Sequence, residues 1–202
     1  ILQDEPLRMR RLAGIFHIDI ASIHELWLFC GTDAGKVKKH MKEYCELMRQ
    51  YADTVFGAVF EGMPVMCLST PHSLRETEKV MVGMIADMRA VWPDAVIVRC
   101  CGLNNTTDCR KAYLTVLDAL EDVRNIFPDR CLVLQGELEF AAECRKLIDG
   151  GEDVAMRSLA PLTALKSDSE SGDLLETVCT YLLDCDGSVT KTAGKLFLPR
   201  NT

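Results

Sequence analysis

Thr54-Val-Phe-Gly-Ala-Val-Phe60 and Val65-Met-Cys-Leu-Ser69, separated by Glu61-Gly62-Met63-Pro64, form the stretch on which the fold turns. Both are short apolar runs containing β-branched residues, and a break that carries Gly and Pro is short enough for a hairpin. The surrounding chain alternates strands and helices. A tight hairpin within that alternation excludes a purely parallel sheet.

On the N-terminal side, His24-Glu-Leu-Trp-Leu-Phe-Cys30 reads as a strand and Gly31-Thr-Asp33 as a turn. From Gly35 a helix follows, because Val37, Met41, Tyr44, Met48 and Tyr51 fall at helical spacing on one face. Lys36, Lys38, Lys39 and Lys42 lie largely on the other, solvated side. On the C-terminal side, Ser73-x-x-Glu76 is a capping box, hydroxyl and carboxylate each taking an orphan N–H at a helix start. Its helix carries Leu74, Met81, Met84, Ile85, Met88 and Val91 on one face, and Pro93 ends it. At this spacing a Met stripe reads as core packing.

Ala95–Cys101 is another strand, and Asn104-Asn-Thr-Thr107 a polar loop with capping residues. The next helix, 108–127, buries Cys109, Tyr113, Val116, Leu117, Leu120 and Val123. Arg130–Gln135 is a last short strand and Glu137–Ile148 a short helix closed by Gly150-Gly151. This order predicts an α+β domain over 23–151, a mixed sheet with helices on one face, after a helical lead-in over 1–22.

The chain has 202 residues, with 30 Asp+Glu against 23 Lys+Arg and a net charge of −7. That balance excludes indiscriminate binding to nucleic acid or membranes, but not a locally directed DNA contact. No apolar run approaches the roughly 18–20 residues that span a bilayer. The ten cysteines form no C-x-x-C pair, follow no signal peptide and sit mostly in apolar runs. They read as buried, reduced thiols of a cytoplasmic protein rather than a disulfide framework. The chain opens at Ile1 rather than Met, which reads as a fragment.

After Gly151 the strands stop. Glu152–Lys166 reads as helical and Ser167–Gly172 as a polar linker. Asp173–Asp184 reads as a helix with Leu174, Leu175, Val178, Tyr181 and Leu182 as its apolar face. Asp186-Gly187-Ser188 breaks it, and Thr190 begins a second short helix carrying Ala193, Leu196 and Phe197. Two short helices around a Gly-containing break, with a third about to begin, are the skeleton of a helix-turn-helix over 152–202.

The residues are more specific than the spacing. Leu174-Leu-Glu-Thr-Val178-x-x-Tyr181-Leu182, Gly187-Ser-Val-Thr190-x-x-Ala193-x-x-Leu196 and Arg200-Asn-Thr202 strongly resemble the C-terminal DNA-binding domain of the CdaR/PucR family. These are bacterial transcriptional regulators of sugar-diacid use and purine catabolism. The family usually has a His before the Arg-Asn-Thr triplet, where this chain has Pro199. It continues after the triplet with a basic recognition helix, so the resemblance implies a module cut before that helix.

Members often carry a degenerate GGDEF-like domain, related to diguanylate cyclases and ferredoxin-like in fold, just before the helical module. The order of elements over 23–151 is similar, and Gly102, Leu103 and Tyr113 sit where that domain has comparable residues. The cyclase signature would lie at Glu61-Gly62-Met63-Pro64, where one Gly survives and the acidic pair for metal and nucleotide is missing. Asp33 is the one carboxylate that could mimic a metal ligand, and a lone Asp in a turn more often serves the turn itself.

No other constellation points to catalysis. The four His (17, 24, 40 and 72) are scattered, none at metal-ligand spacing. Cys67 and His72, a strand Cys and a loop His, make a poor dyad. Gly31–Lys36 lacks the length and the Ser/Thr of a phosphate loop. The expectation is a protein that is not an enzyme, with no cofactor and no metal.

DNA contact has a physical route. Glu170, Asp173, Glu176, Asp184 and Asp186 concentrate in the first helix and its turn, while Lys191, Lys195 and Arg200 fall in the half that would approach DNA. Thr190 and neighbouring N–H groups suit a phosphate at a helix start, and Arg200 and Asn201 suit base edges in the major groove. The expected DNA-binding residues are Ser188, Thr190, Lys191, Arg200, Asn201 and Thr202. Ser188, Thr190 and Thr202 can equally be plain caps, and Lys191 solvated surface. The expected partners are promoter DNA, a second copy in a homodimer, and a small-molecule effector acting through a domain outside this chain. The alternative is a GGDEF-like module that senses a small molecule or nucleotide, its helical tail mediating protein interaction.

Overall fold

A computed structural model describes residues 5–163, 172–185 and 187–197. The chain divides into two compact units, Ile1–Cys144 and Arg145–Thr202.

The first unit begins with helix α1 (Pro6–Phe16), which ends at His17 in a left-handed conformation. A single 3₁₀ turn, Ile20–Ser22, is capped by Asp19 and leads into strand β1 (Glu25–Cys30). Helix α2 (Ala34–Met48), β2 (Val55–Phe60), β3 (Met63–Leu68), α3 (Leu74–Arg89) and β4 (Val96–Cys101) complete a β-α-β-β-α-β unit. The strands lie in the order β2-β3-β1-β4, every neighbour antiparallel. That is the ferredoxin-like arrangement, and the fold is α+β. Helix α4 (Thr106–Ile126) then crosses over to β5 (Leu132–Leu134), which pairs parallel with β4 and makes the sheet mixed. Helix α5 (Gln135–Asp149) follows.

The hairpin is tighter than its sequence suggests. Met63 and Pro64 belong to β3, and the turn is two residues, Glu61 (φ 49°) and Gly62 (φ 82°). Positive φ at both centres matches the twist of the flanking strands. Pro64 lies opposite Val59, beyond the end of the β1–β3 ladder, so its missing N–H costs that ladder nothing.

Helices cover both faces of the sheet, not one as expected. Leu26, Leu28, Cys30, Val65, Cys67, Val96, Val98 and Cys100 pack with Cys109, Tyr113, Val116 and Val123 of α4 and with Leu138 of α5. Trp27, Phe29, Met66, Leu68 and Ile97 pack with Val37, Met41, Tyr44 and Met48 of α2 and with Met81, Met84, Ile85 and Met88 of α3. The reason is legible in β1 and β4, which are buried at nearly every position. Continuous apolar strands need cover on both sides, whereas a one-sided sheet alternates. The Met stripe of α3 is core, as its spacing implies.

Three residues expected in the core, Leu74, Val91 and Leu117, are exposed. Leu74 and Val91 flank the ends of α3, beyond the turns that touch the sheet, and Ala112 and Ala119 take inward positions on α4 instead of Leu117. The capping box is half formed. Ser73 Oγ accepts the Glu76 N–H at 3.4 Å, while the Glu76 carboxylate takes Lys79 Nζ at 2.8 Å.

One buried ionic cluster joins the central strands. Glu25 and Arg99, 2% and 5% exposed, are held by two bonds, Arg99 Nε to Glu25 Oε2 at 2.9 Å and Nη2 to Oε1 at 2.6 Å. The Trp27 indole N–H also donates to Glu25 Oε2 at 2.8 Å. Breaking one side of such a pair leaves an uncompensated buried charge. Arg99→Met is therefore expected to cost about 3–5 kcal/mol in urea unfolding. Adding Glu25→Leu should restore all but the roughly 1–3 kcal/mol of an orphaned Trp27 N–H.

The second unit holds α6 (Glu152–Thr163), α7 (Gly172–Cys179), one wide π-helical turn (Thr180–Asp184) and α8 (Val189–Lys195). The expected end of α6 at Lys166 and the linker up to Ser171 lie outside the described residues.

Candidate nucleic-acid interface

The C-terminal module differs from its sequence reading in three ways. The helix expected over Asp173–Asp184 is α-helical only to Cys179 and then widens. A wide turn rotates the side chains along it, and Leu182 points to solvent while Thr180 is buried. The second helix starts at Val189 rather than Thr190, because Ser188 is its cap, accepting the Lys191 N–H at 3.4 Å. Phe197 lies past its end, 95% exposed with φ 56°.

The break between the helices is built by Gly187, at φ 71°. Its N–H donates to the Tyr181 carbonyl at 2.8 Å, and the Ser188 N–H to the Cys185 carbonyl at 2.9 Å. Thr192 Oγ1 donates to the Ser188 carbonyl at 2.9 Å, and Cys185 and Thr192 are buried. The turn is thus tied to both helices through backbone groups that would otherwise be orphans.

Of the expected contact residues, Ser188, Thr190 and Lys191 come together at the start of α8, with Thr190 and Lys191 exposed. Arg200, Asn201 and Thr202 lie outside the described residues, as do Pro199 and Asp186. The Lys191 N–H, one of the backbone donors expected to meet a phosphate, is already engaged by Ser188. Lys195, counted among the bases facing DNA, bonds Asp184 Oδ2 at 2.8 Å. That hydrogen bond and charge hold its ammonium above the usual lysine range. No spacing rule announces a pair that bridges the break, so this contact was not legible in the sequence.

The α+β unit places the other candidates. Asp33 caps α2, its Oδ1 accepting the N–H groups of Gly35 at 2.9 Å and Lys36 at 3.2 Å. This is the turn chemistry expected of it. Gly102 has φ 72°, Leu103 is buried, and the Tyr113 hydroxyl reaches Glu61 Oε2 at 3.4 Å, across to the β2–β3 turn. Cys67 and His72 are not brought together: Cys67 is buried against α4, and His72 Nε2 faces Asp53 Oδ1 at 3.1 Å. Among the described residues no three His, Cys, Asp or Glu side chains gather as a metal site. Among them, too, no helix is long and apolar enough to cross a membrane.

No family model and no curated protein matches this chain.

All ten cysteines are free, and Cys30, Cys45, Cys67, Cys100, Cys109 and Cys185 are buried. Burial pushes the Cys30, Cys67 and Cys100 thiols up to about 12, and those of Cys45 and Cys109 to about 11, from an ordinary 9.0. Cys101 and Cys179 are exposed, and should be the first to react with a thiol reagent in the native protein. The buried thiols should react only on unfolding. Because they stay neutral in the folded chain while unfolded thiols ionise near 9, native stability should fall as pH rises from about 9 towards 12. Reagent titration and denaturant melts across that range check both outcomes.

Proposed function

We propose that this chain is part of a CdaR/PucR-type transcriptional regulator of the bacterial cytoplasm. In this reading the C-terminal module binds promoter DNA, and the α+β unit is a degenerate GGDEF-like domain without catalysis. That unit serves dimerisation or signal relay, and an effector acts through a domain outside this chain. Two-fold operators pair with two-fold proteins, so the DNA-binding species is a homodimer.

One observation supports the reading above the others. Two short helices meet at Gly187 in a turn pinned by backbone bonds, with Ser188 capping the second helix and Thr190 and Lys191 exposed at its start. Thr190 and Lys191 suit phosphate positioning, while Arg200 and Asn201 carry base readout by resemblance. The two-residue Glu61-Gly62 turn and the use of Asp33 as a helix cap favour a unit that relays or dimerises over one that turns over nucleotide.

The ligand-sensing alternative has its own observation. A cleft of about 300 Å³ at the end of β4, between α4 and α5, is lined by Gly102, Asp108, Lys111, Gln135 and Glu139. Calorimetry with guanine nucleotides tests it, and heat that Lys111→Ala removes would favour it.

The DNA-binding reading is tested by fluorescence anisotropy against DNA upstream of the protein's own gene, at several salt concentrations, using the gene product that contains this chain. Specific binding with a salt slope is expected. Lys191→Ala should weaken it evenly across sequences and lower the slope by about 1. Arg200→Ala should cost about 1–3 kcal/mol and relax specificity at one position. Binding by none of the DNA fragments, from a protein shown to be dimeric, would overturn the proposal.

A further inference from the structure

The edge of the sheet opposite β5 carries a surface that the DNA-binding reading does not use. Strand β2 is the outermost strand on that side. Alternation in an antiparallel pair turns the N–H and C=O groups of every second residue away from the partner strand. With Phe60 and Met63 closing a two-residue turn, the outward groups are those of Gly57 and Val59, and both residues are exposed. Among the described residues no backbone bond reaches either of them from outside the hairpin.

A groove of about 770 Å³ runs between this edge and α2. Its floor is apolar, formed by Met41, Cys45, Gly57 and Val59. Gly57 sets how closely helix and strand approach, since a Cβ there would stand 2.8 Å from Cys45 Sγ and 3.2 Å from Met41 Cε. Its rim is cationic. Lys38 and Lys42, exposed and one helical turn apart, line the groove, whereas Arg49 is committed to Glu46 at 2.6 Å.

We infer that the α2–β2 groove binds an extended acidic peptide segment of a partner protein, which adds to β2 as a further strand. The outward N–H and C=O groups of Gly57 and Val59 pair with the peptide backbone, alternate side chains enter the groove, and acidic side chains meet Lys38 and Lys42. An unblunted edge strand is a template for pairing of this kind. A second copy fits less well, because symmetric β2–β2 pairing sets two Lys38–Lys42 rows face to face across the two-fold axis. Single-stranded nucleic acid also fits less well, because Phe56, the aromatic in the lining, packs into the α4-side core instead of offering a face to a base.

The test titrates the chain with a fluorescent alternating valine–glutamate peptide long enough to span β2, with its valine–lysine counterpart and with labelled oligothymidine. Saturable binding of the acidic peptide alone is expected, with amide shifts at Gly57 and Val59 in NMR spectra. Lys38→Glu with Lys42→Glu should weaken it about tenfold at low salt. Val59→Pro, which removes an outward donor and spares the bonds to β3, should weaken it about fivefold. Circular dichroism establishes that both variants are folded. No saturable binding, tighter binding of the oligonucleotide, peptide binding indifferent to these substitutions, or a peptide displaced by self-association through β2 would each overturn the inference. None of these residues belongs to the C-terminal module, so either reading can fail without the other.

Discussion

Glu25 and Arg99 constrain the α+β unit more than any apolar contact does. They sit on the two central strands, facing the α2–α3 side, where water is excluded. A charge in that position is tolerable only with its partner in place and its remaining capacity filled, and the Trp27 indole fills it. The β1–β4 register therefore has little freedom, because a slip of one residue would put the two charges on opposite faces of the sheet. The hydrophobic layers on either side are adaptable by comparison, being rich in Met and Cys.

Much of this fold is legible in the chain. In the α+β unit the order of elements is the one that periodicity, caps and breakers predict, and the Glu61-Gly62 break marks the hairpin. The two-sided cover was also legible: Glu25–Cys30 and Val96–Cys101 do not alternate, and strands of that kind lie between two layers. The Glu25–Arg99 pair was not, since nothing local to either residue says which distant strand will face it. The same holds for Asp184 and Lys195, which meet only because the turn at Gly187 folds one helix back on the other. In the candidate interface, the sequence points to the Gly187 break and to the residues of α8, but does not decide between Ser188 and Thr190 as the cap. A Ser and a Thr two positions apart are both capable N-caps, and only the turn geometry decides between them. Gly57 is a third case. Isolated Gly within a strand signals a close backbone approach, and here the approach is that of α2.

The two units carry different kinds of functional argument. In the C-terminal module the signal is residue-specific and the geometry modest: a capped short helix, a pinned turn and exposed polar side chains. In the α+β unit the geometry is distinctive while polar chemistry is sparse, and its candidate carboxylate, Asp33, is occupied in holding a helix end. A sheet whose charged side chains are one buried pair is suited to presenting surfaces, and its open edge at β2 is the clearest of them.

The separation of Glu25 and Arg99, 74 positions apart, also bears on the order in which the unit assembles. The β2–β3 hairpin closes over two residues and can form locally, whereas β1 must wait for β4 to arrive across α2, the hairpin and α3. Loop-closure entropy is lost before that long-range pairing compensates for it, so the central register belongs to the late part of folding. Until β1 joins β3, the hairpin exposes both of its edges, and the β3 edge destined for β1 is the one a nascent chain must shield.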